Sequence, residues 1–256
     1  KEKKAKKSRK LSIESSSSSE IPNSTPSAEE TPVNNNQNSQ PKDQKPKIGR
    51  IYTVSVVIPD SIVENAQTRE LKSYLVSQIS RAITIFNIDE IIIVKDPSAK
   101  ERLSKLNTCN YFVRNLQYLE TPQYLRKALF PIHPDLKYSG LMNPTDSPHH
   151  LREDEWSHYR EGVVMNRPCK EGKGSWIDIG LQRQAQVNMR LKPGIRVTIK
   201  IDPATKNDKI ICGEVVSPAE PKEVQFVNWG YSVRVADNMQ QVFEGSVFGE
   251  PYDLKI

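Results

Sequence analysis

YTVSVVIPDSIVENAQTRELKSYLVSQISRAITIFNIDEIIIV, residues Tyr52–Val94, decides the fold of this 256-residue chain. Tyr52–Ile58 is β-branched and nearly continuous, the pattern of a buried strand, and Pro59 ends it. Leu71, Leu75, Ile79, Ile83 and Phe86 follow at intervals of four, four, four and three, which places them on one face of a helix. Thr68 is the expected N-cap, and Glu70 suits the positive end of the helix dipole. Glu90–Val94 reads as a second buried strand. Strand, helix, strand in this order predicts a right-handed parallel unit.

Working outward, residues 100–119 continue a helical pattern through Leu103, Leu106, Phe112, Val113, Leu116 and Leu119. Thr121-Pro122 predicts another helix, with Thr as N-cap and Pro in the first helical position, and QYLRKALF ends at Pro131. The proline-rich stretch Phe130–His150 is too apolar for a linker, so it reads as an ordered loop of the kind that often carries function. After Tyr159 the texture changes to short alternating segments, Gly162–Asn166, Ser175–Leu181, Ile195–Ile201 and Lys209–Val216, punctuated by Gly and Pro. Strands at this spacing predict a small antiparallel barrel, OB-type first and SH3-like as the alternative. The α/β texture then resumes with strand-like Tyr231–Ala236, a short helix at Asn238–Glu244 and a further strand beginning at Tyr252–Ile256. The expected fold class is α/β with an inserted barrel. Residues 50–158 form the first part of the α/β domain, 159–222 the barrel and 223–256 the return to the sheet. A parallel sheet that stops on its last strand is expected to continue past Ile256.

The net charge of +6 has a location. Lys1–Lys10 holds seven basic residues and one acidic one, so the other 246 residues balance at 30 and 30. Such a run reads as a nuclear-import signal or a nucleic-acid contact. Residues 1–49 lack aromatics, contain the run Ser15–Ser19 between acids and are rich in Asn, Gln and Pro, so this tail is expected to be disordered. No apolar run is long enough to span a membrane. Cys109, Cys169 and Cys212 show no paired spacing, which offers neither a zinc ribbon nor a redox motif.

No Walker loop, dinucleotide fingerprint, zinc-protease motif or nucleophile elbow is present. His149-His150 stands before Glu153, Asp154 and Glu155, but adjacent histidines point apart and no third ligand has a fitting spacing; loop anchoring or RNA contact is the better reading. Arg126-Lys127 lies beside the proline-rich loop, where the choice is between a solvated helix face and a phosphate contact. Tyr124, Tyr138 and Trp156 offer stacking surfaces. The barrel adds Trp176, Arg183, Arg190, Lys192, Arg196 and Lys200, the basic and aromatic mixture with which OB-type barrels bind single strands.

TPQYLRKALFPIHPDLKYSGLMNPTDSPHH, then YREGVV, WGYSVRVA and YDLKI, together resemble a family of RNA methyltransferases of the SPOUT class, the α/β-knot enzymes with an OB-like barrel inserted in the knotted domain. The resemblance covers about Arg50–Ile256. It implies a trefoil-knotted sheet, a dimer formed with a second copy or a paralogue, and S-adenosyl-L-methionine as cofactor. The family's three cofactor loops correspond to sequence after Ile256, so no cofactor or catalytic residue is carried over. On the substrate side Arg126, Lys127, His149, His150 and Arg152 match the motif block, and with Trp176, Arg183 and Arg196 of the barrel they are the expected RNA-binding residues. The implied partner is rRNA or pre-rRNA, the implied place the nucleus and nucleolus. The rivals are a catalytically inactive assembly factor that keeps the fold inside a pre-ribosomal particle, and a plain OB-type single-strand binder.

Overall fold

The computed structural model describes residues 50, 52–97, 107–169, 172–249 and 251–256. The expected disorder of 1–49 and the helical reading of 100–106 lie outside the described residues. The remainder holds a three-stranded sheet and a closed five-stranded barrel.

The sheet is parallel, in the order β1 (Ser55–Pro59), β2 (Glu90–Val94), β8 (Ser232–Ala236). Its register aligns Ser55, Glu90 and Ser232 at one end and Pro59, Val94 and Ala236 at the other. Side chains alternate across the pleat, so Ile91 and Ile93 face one layer and Ile92 the other. Ile91 and Ile93 join Val63, Val76, Ile83, Phe112, Leu116 and Leu119 in the main core. Ile92 packs with Ala236 and Val242 on the opposite face, under α5 (Met239–Glu244), whose N-cap is Asn238. All three isoleucines are fully buried, each contributing about 1.5–3 kcal/mol.

Helix α1 (Arg69–Ile85) joins β1 to β2, and the Thr68 hydroxyl accepts from Leu71 N as expected of an N-cap. The face it buries differs from the expected aliphatic stripe. Leu71 and Phe86 are exposed, whereas Ser73, Val76, Ser77, Ser80 and Ile83 are buried. Small serines let α1 lie close to its neighbour, and each finds a partner: Ser73 with the Tyr111 hydroxyl (2.7 Å), Ser80 with the Tyr231 hydroxyl (2.7 Å) and Ser77 with Tyr74 O (2.7 Å). That neighbour is α2 (Thr108–Glu120), capped by Asn107. Thr121 does not cap the next helix; its hydroxyl turns back to Gln117 O (2.9 Å), and α3 (Gln123–Leu129) begins with Pro122 in the N-cap position. Residues 130–150 follow as irregular chain with two short 3-10 turns.

The barrel comprises β3 (Tyr159–Val164), β4 (Trp176–Asp178), β5 (Ala185–Val187), β6 (Arg196–Ile201) and β7 (Ile211–Val216). It closes in the order β3-β4-β5-β7-β6 and back to β3. The expected antiparallel arrangement needs one correction: β5 and β7 pair in parallel, because the chain crosses the barrel between them instead of turning back. Val164, Ile177, Ile179, Ala185, Val187, Ile199, Ile201 and Ile211 fill the interior. Chain order places the whole barrel between β2 and β8, so it is an insertion in the α/β layer. After α5 the expected strand at Tyr252–Ile256 is absent: this segment has no ladder partner among the described residues, and Leu254 and Ile256 are exposed.

Arg160 on β3 is 1% exposed. Its guanidinium donates to Ile179 O (2.7 Å), Arg152 O (2.8 Å) and Glu155 O (3.0 Å), binding the 151–155 loop to the barrel wall. The three carbonyls are met by three different nitrogens of a planar fork, a spread that the single ammonium nitrogen of a lysine does not have. Arg160→Lys and Arg160→Met are expected to lower stability by about 3 kcal/mol, read as a shift of the urea midpoint, with Lys no better than Met.

Candidate functional site: the cleft between sheet and barrel

Helix α2 ends on Glu120, an acid at the negative end of the helix dipole, where it is unfavourable unless cations compensate. Arg196 of β6 supplies a bidentate pair, with Nη1 2.6 Å from Oε2 and Nη2 3.0 Å from Oε1. The same guanidinium donates from Nε to Glu161 Oε2 on β3 (2.7 Å). Glu161 Oε1 accepts from the Thr198 hydroxyl and from Trp229 Nε1, both at 2.6 Å. His149, fully buried, places Nε2 2.7 Å from Glu120 O and 3.1 Å from its Oε1. His150 Nε2 donates to the same carbonyl oxygen (2.7 Å). One arginine thus lies between two carboxylates and fastens the barrel to the sheet domain.

Gly230 is required by this packing. Its φ is +100°, and a Cβ there would lie 2.5 Å from Glu120 Oε1 and 2.9 Å from His149 Cε1.

Above the network opens a cleft of about 830 Å³, within the size range of ligand sites. Phe226, Trp229, Val247 and Phe248 provide apolar walls. At the rim Asp89 accepts from Val54 N (2.8 Å) and pairs with both Arg50 (2.5 Å) and Lys222. Phe226 closes α4 (Glu220–Gln225) with φ 56°, a left-handed conformation that strains a bulky side chain by about 1 kcal/mol and fixes its ring at the lip.

Burial raises the Glu120 pKa, but the hydrogen bonds from His149 and Arg196 and the Arg196 charge outweigh it and hold the carboxyl at about 2. Burial also opposes the Arg196 charge, yet its bonds to Glu120 raise its pKa. Burial, reinforced by His149, pushes His150 down to about 4. A carboxylate held this low is a poor proton carrier near neutrality. Near neutrality Glu120 and Arg196 therefore stay charged and His150 neutral.

The expected RNA-binding residues separate into two groups. Arg126, His149, His150 and Arg196 gather at the end of α2. Arg126 donates to Thr121 O (2.9 Å) and Leu119 O (3.3 Å) and lies over the Tyr118 ring, so its cation satisfies the helix terminus. Arg126, His149 and Arg196 are thus engaged inside the fold, which for His149 is the loop-anchoring alternative. Lys127 and Arg152 are exposed, and Trp176 and Arg183 stand on the outer side of the barrel. The sequence reading missed Glu120, Glu161, Trp229 and Gly230. A signal existed in YREGVV, where Arg160 and Glu161 interrupt an otherwise apolar strand, since charges buried in a strand need partners.

The cleft lies at the amino ends of the parallel strands, beside Thr53, Asp89 and Ser232. Ligands of open α/β sheets sit instead beyond the carboxyl ends. There the described residues are already paired: Asp60 Oδ1 accepts from Asp96 N (2.9 Å), and Lys95 meets Asp237 (2.6 Å). They present neither a glycine loop nor a free donor set for a nucleoside, and by themselves do not fit a methyl-donor pocket.

A family model described as "Putative RNA methyltransferase" matches residues 53–256, which includes both the sheet and the barrel. The chain belongs to this family. The 28S rRNA (uridine-N(3))-methyltransferase of Homo sapiens is 43% identical over 223 residues, covering 83% of this chain and 59% of that protein. The protein of the same description from Drosophila melanogaster is 42% identical over 224 residues, covering 80% and 45%. The Caenorhabditis elegans protein described as "Putative methyltransferase spot-1" is 37% identical over 220 residues, covering 77% and 58%. The chain therefore spans between 45% and 59% of the length of these family members.

Two outcomes are expected. Gly230→Ala forces its methyl group into Glu120 and His149 and should cost about 2–3 kcal/mol, read by chemical unfolding. The pH dependence should have two limbs. His150 is uncharged in the fold and takes up a proton on unfolding, so stability falls as pH drops from 6.5 towards about 4. Glu120 keeps its charge in the fold, so its contribution is complete above 4.5 and is lost as pH falls towards about 2. His150→Gln keeps a donor to Glu120 O and should flatten only the upper limb in urea midpoints measured against pH.

Proposed function

We propose that this chain is the sheet-and-barrel part of an S-adenosyl-L-methionine-dependent rRNA methyltransferase. The observation that carries the reading is the 43% identity to a 28S rRNA (uridine-N(3))-methyltransferase, which runs through both the sheet and the barrel. In this reading the three parallel strands belong to a SPOUT-type sheet closed by a trefoil knot. The barrel order, with its one parallel pair between third and fifth barrel strands, supports an OB-type insertion. Dimerisation with a second copy or a paralogue, work in ribosome biogenesis on a pre-ribosomal particle and nucleolar residence complete the proposal, and the basic run Lys1–Lys10 supports the last.

In this reading S-adenosyl-L-methionine would be the source of the methyl group. The residues described here would serve the RNA side of that reaction. The Arg196 clasp holds the barrel at a fixed angle to the sheet, and fixed placement of two surfaces on one substrate is what converts binding into rate.

Methylation at uridine N3 blocks base pairing and halts reverse transcription. Large-subunit rRNA from cells lacking the protein is expected to lose one such stop, restored by the full-length gene product but not by a form that fails to bind the donor in calorimetry. An unchanged stop profile together with a ribosome-assembly defect would replace the reading with that of an inactive assembly factor.

A further inference from the structure

We propose that the cleft between sheet and barrel is the docking site of a segment of this same chain, residues 45–49 (Lys-Pro-Lys-Ile-Gly), with Ile48 seated against the aromatic walls and its flanking lysines at Glu223. The inference concerns the occupant of the cleft and stands independently of the methyl-transfer reading.

The cleft is apolar and open. Of the residues lining it, Phe226, Val247 and Phe248 are exposed and Trp229 is half-buried. Large apolar side chains that converge on one opening mark a contact surface. The left-handed backbone of Phe226 holds its ring there under strain, as expected of a side chain placed for contact instead of core packing. The floor, by contrast, is already saturated: Glu120 and Glu161 accept from Arg196, Thr198 and Trp229.

Charge selects the class of occupant. Three cations and four carboxylates line the cleft. Arg196 is paired with Glu120 and Glu161, and Arg50 and Lys222 share Asp89. The charge left over is Glu223, exposed and without an ion pair among the described residues. A polyanion such as RNA is disfavoured by this surplus, whereas a basic segment with an apolar anchor is complementary to it.

The chain carries such a segment beside the cleft. Ile48 is the first aliphatic residue after Val33, and Lys42, Lys45 and Lys47 precede it against one acid, Asp43. Only Gly49 separates Ile48 from Arg50, which itself lines the cleft. Two residues of chain span at most about 7 Å, so Ile48 is tethered at the opening. A tether this short gives an effective concentration on the order of millimolar, enough to sustain a contact made by one side chain. Pro46 lowers the entropy lost on docking.

The test uses the full chain with Trp156→Phe and Trp176→Phe, which leaves Trp229 as its one tryptophan. Ile48→Asp should open Trp229 to acrylamide quenching, while Ile48→Val should leave quenching near the parent value. A blocked peptide of residues 42–49 added to the Ile48→Asp chain should restore the shielding, and the same peptide carrying Ile48→Asp should bind at least about tenfold more weakly. Glu223→Gln should lower the affinity for the peptide about two- to threefold and make it less dependent on salt. Equal quenching of the parent and Ile48→Asp chains overturns the proposal. So does protection of Trp229 by a 12-nucleotide oligouridylate where the peptide gives none, which would assign the cleft to nucleic acid. Should the double tryptophan variant fail to fold, p-benzoyl-L-phenylalanine in place of Ile48 in the otherwise unchanged chain decides. Crosslinks within one chain to 223–248 support the proposal, and crosslinks to other segments or between two chains refute it. Docking through Ile48 with an unchanged rRNA stop profile would keep this inference and remove only the methyl-transfer reading.

Discussion

One guanidinium holds the two halves of this structure in register. Arg196 bridges Glu120, at the end of a helix of the α/β layer, and Glu161, on the barrel wall. Removing the arginine would leave two carboxylates facing each other in a poorly hydrated space. Removing either acid would leave a buried cation with half its partners. Buried ion networks of this kind add little net stability, because the desolvation they demand is large. What they add is definition: only one docking angle satisfies Arg196, Thr198, Trp229 and His149 together. The cleft above them keeps its shape for the same reason.

A second cluster performs a similar task on the far side of the sheet. Glu90, fully buried at the start of β2, accepts from Arg234 Nε (2.8 Å), the Ser55 hydroxyl (2.8 Å) and the Tyr252 hydroxyl (2.8 Å). Arg234 also donates to Gln241 O and Val242 O, two of the last four carbonyls of α5. All three strands and the short helix are tied through one carboxylate. The two clusters divide the labour of the inserted topology. One fixes the barrel to the sheet, and the other fixes the chain that returns from it.

The sheet was legible in the sequence because a fully buried parallel strand has no period to confuse; EIIIV at 90–94 occurs in the structure with the same bounds. The buried face of α1 was not legible. Leu71 and Phe86 carried the stronger hydropathy signal, but the core was built from serines whose hydroxyls meet Tyr111 and Tyr231, partners 38 and 151 residues away. Sequence spacing cannot reveal a hydrogen bond that long. The same limit hid the role of Arg196, which the fold shows engaged by Glu120 and Glu161, whereas loop anchoring was open to His149 from its place in the chain. Trp176 was different, because its position on a short alternating strand marks it as outward without any tertiary knowledge.

The insertion also sets an order of assembly. Glu90 pairs with Ser232 in the finished sheet, and 142 residues separate them. Joining ends so distant is entropically slow, whereas most barrel pairings, such as Ile177 with Ala185, are local. The barrel should thus condense first as an independent nucleus and shorten the effective tether between β2 and β8. Until that happens β2 has an open edge of four consecutive aliphatic residues, which makes the nascent chain most vulnerable to intermolecular strand pairing just before its barrel closes.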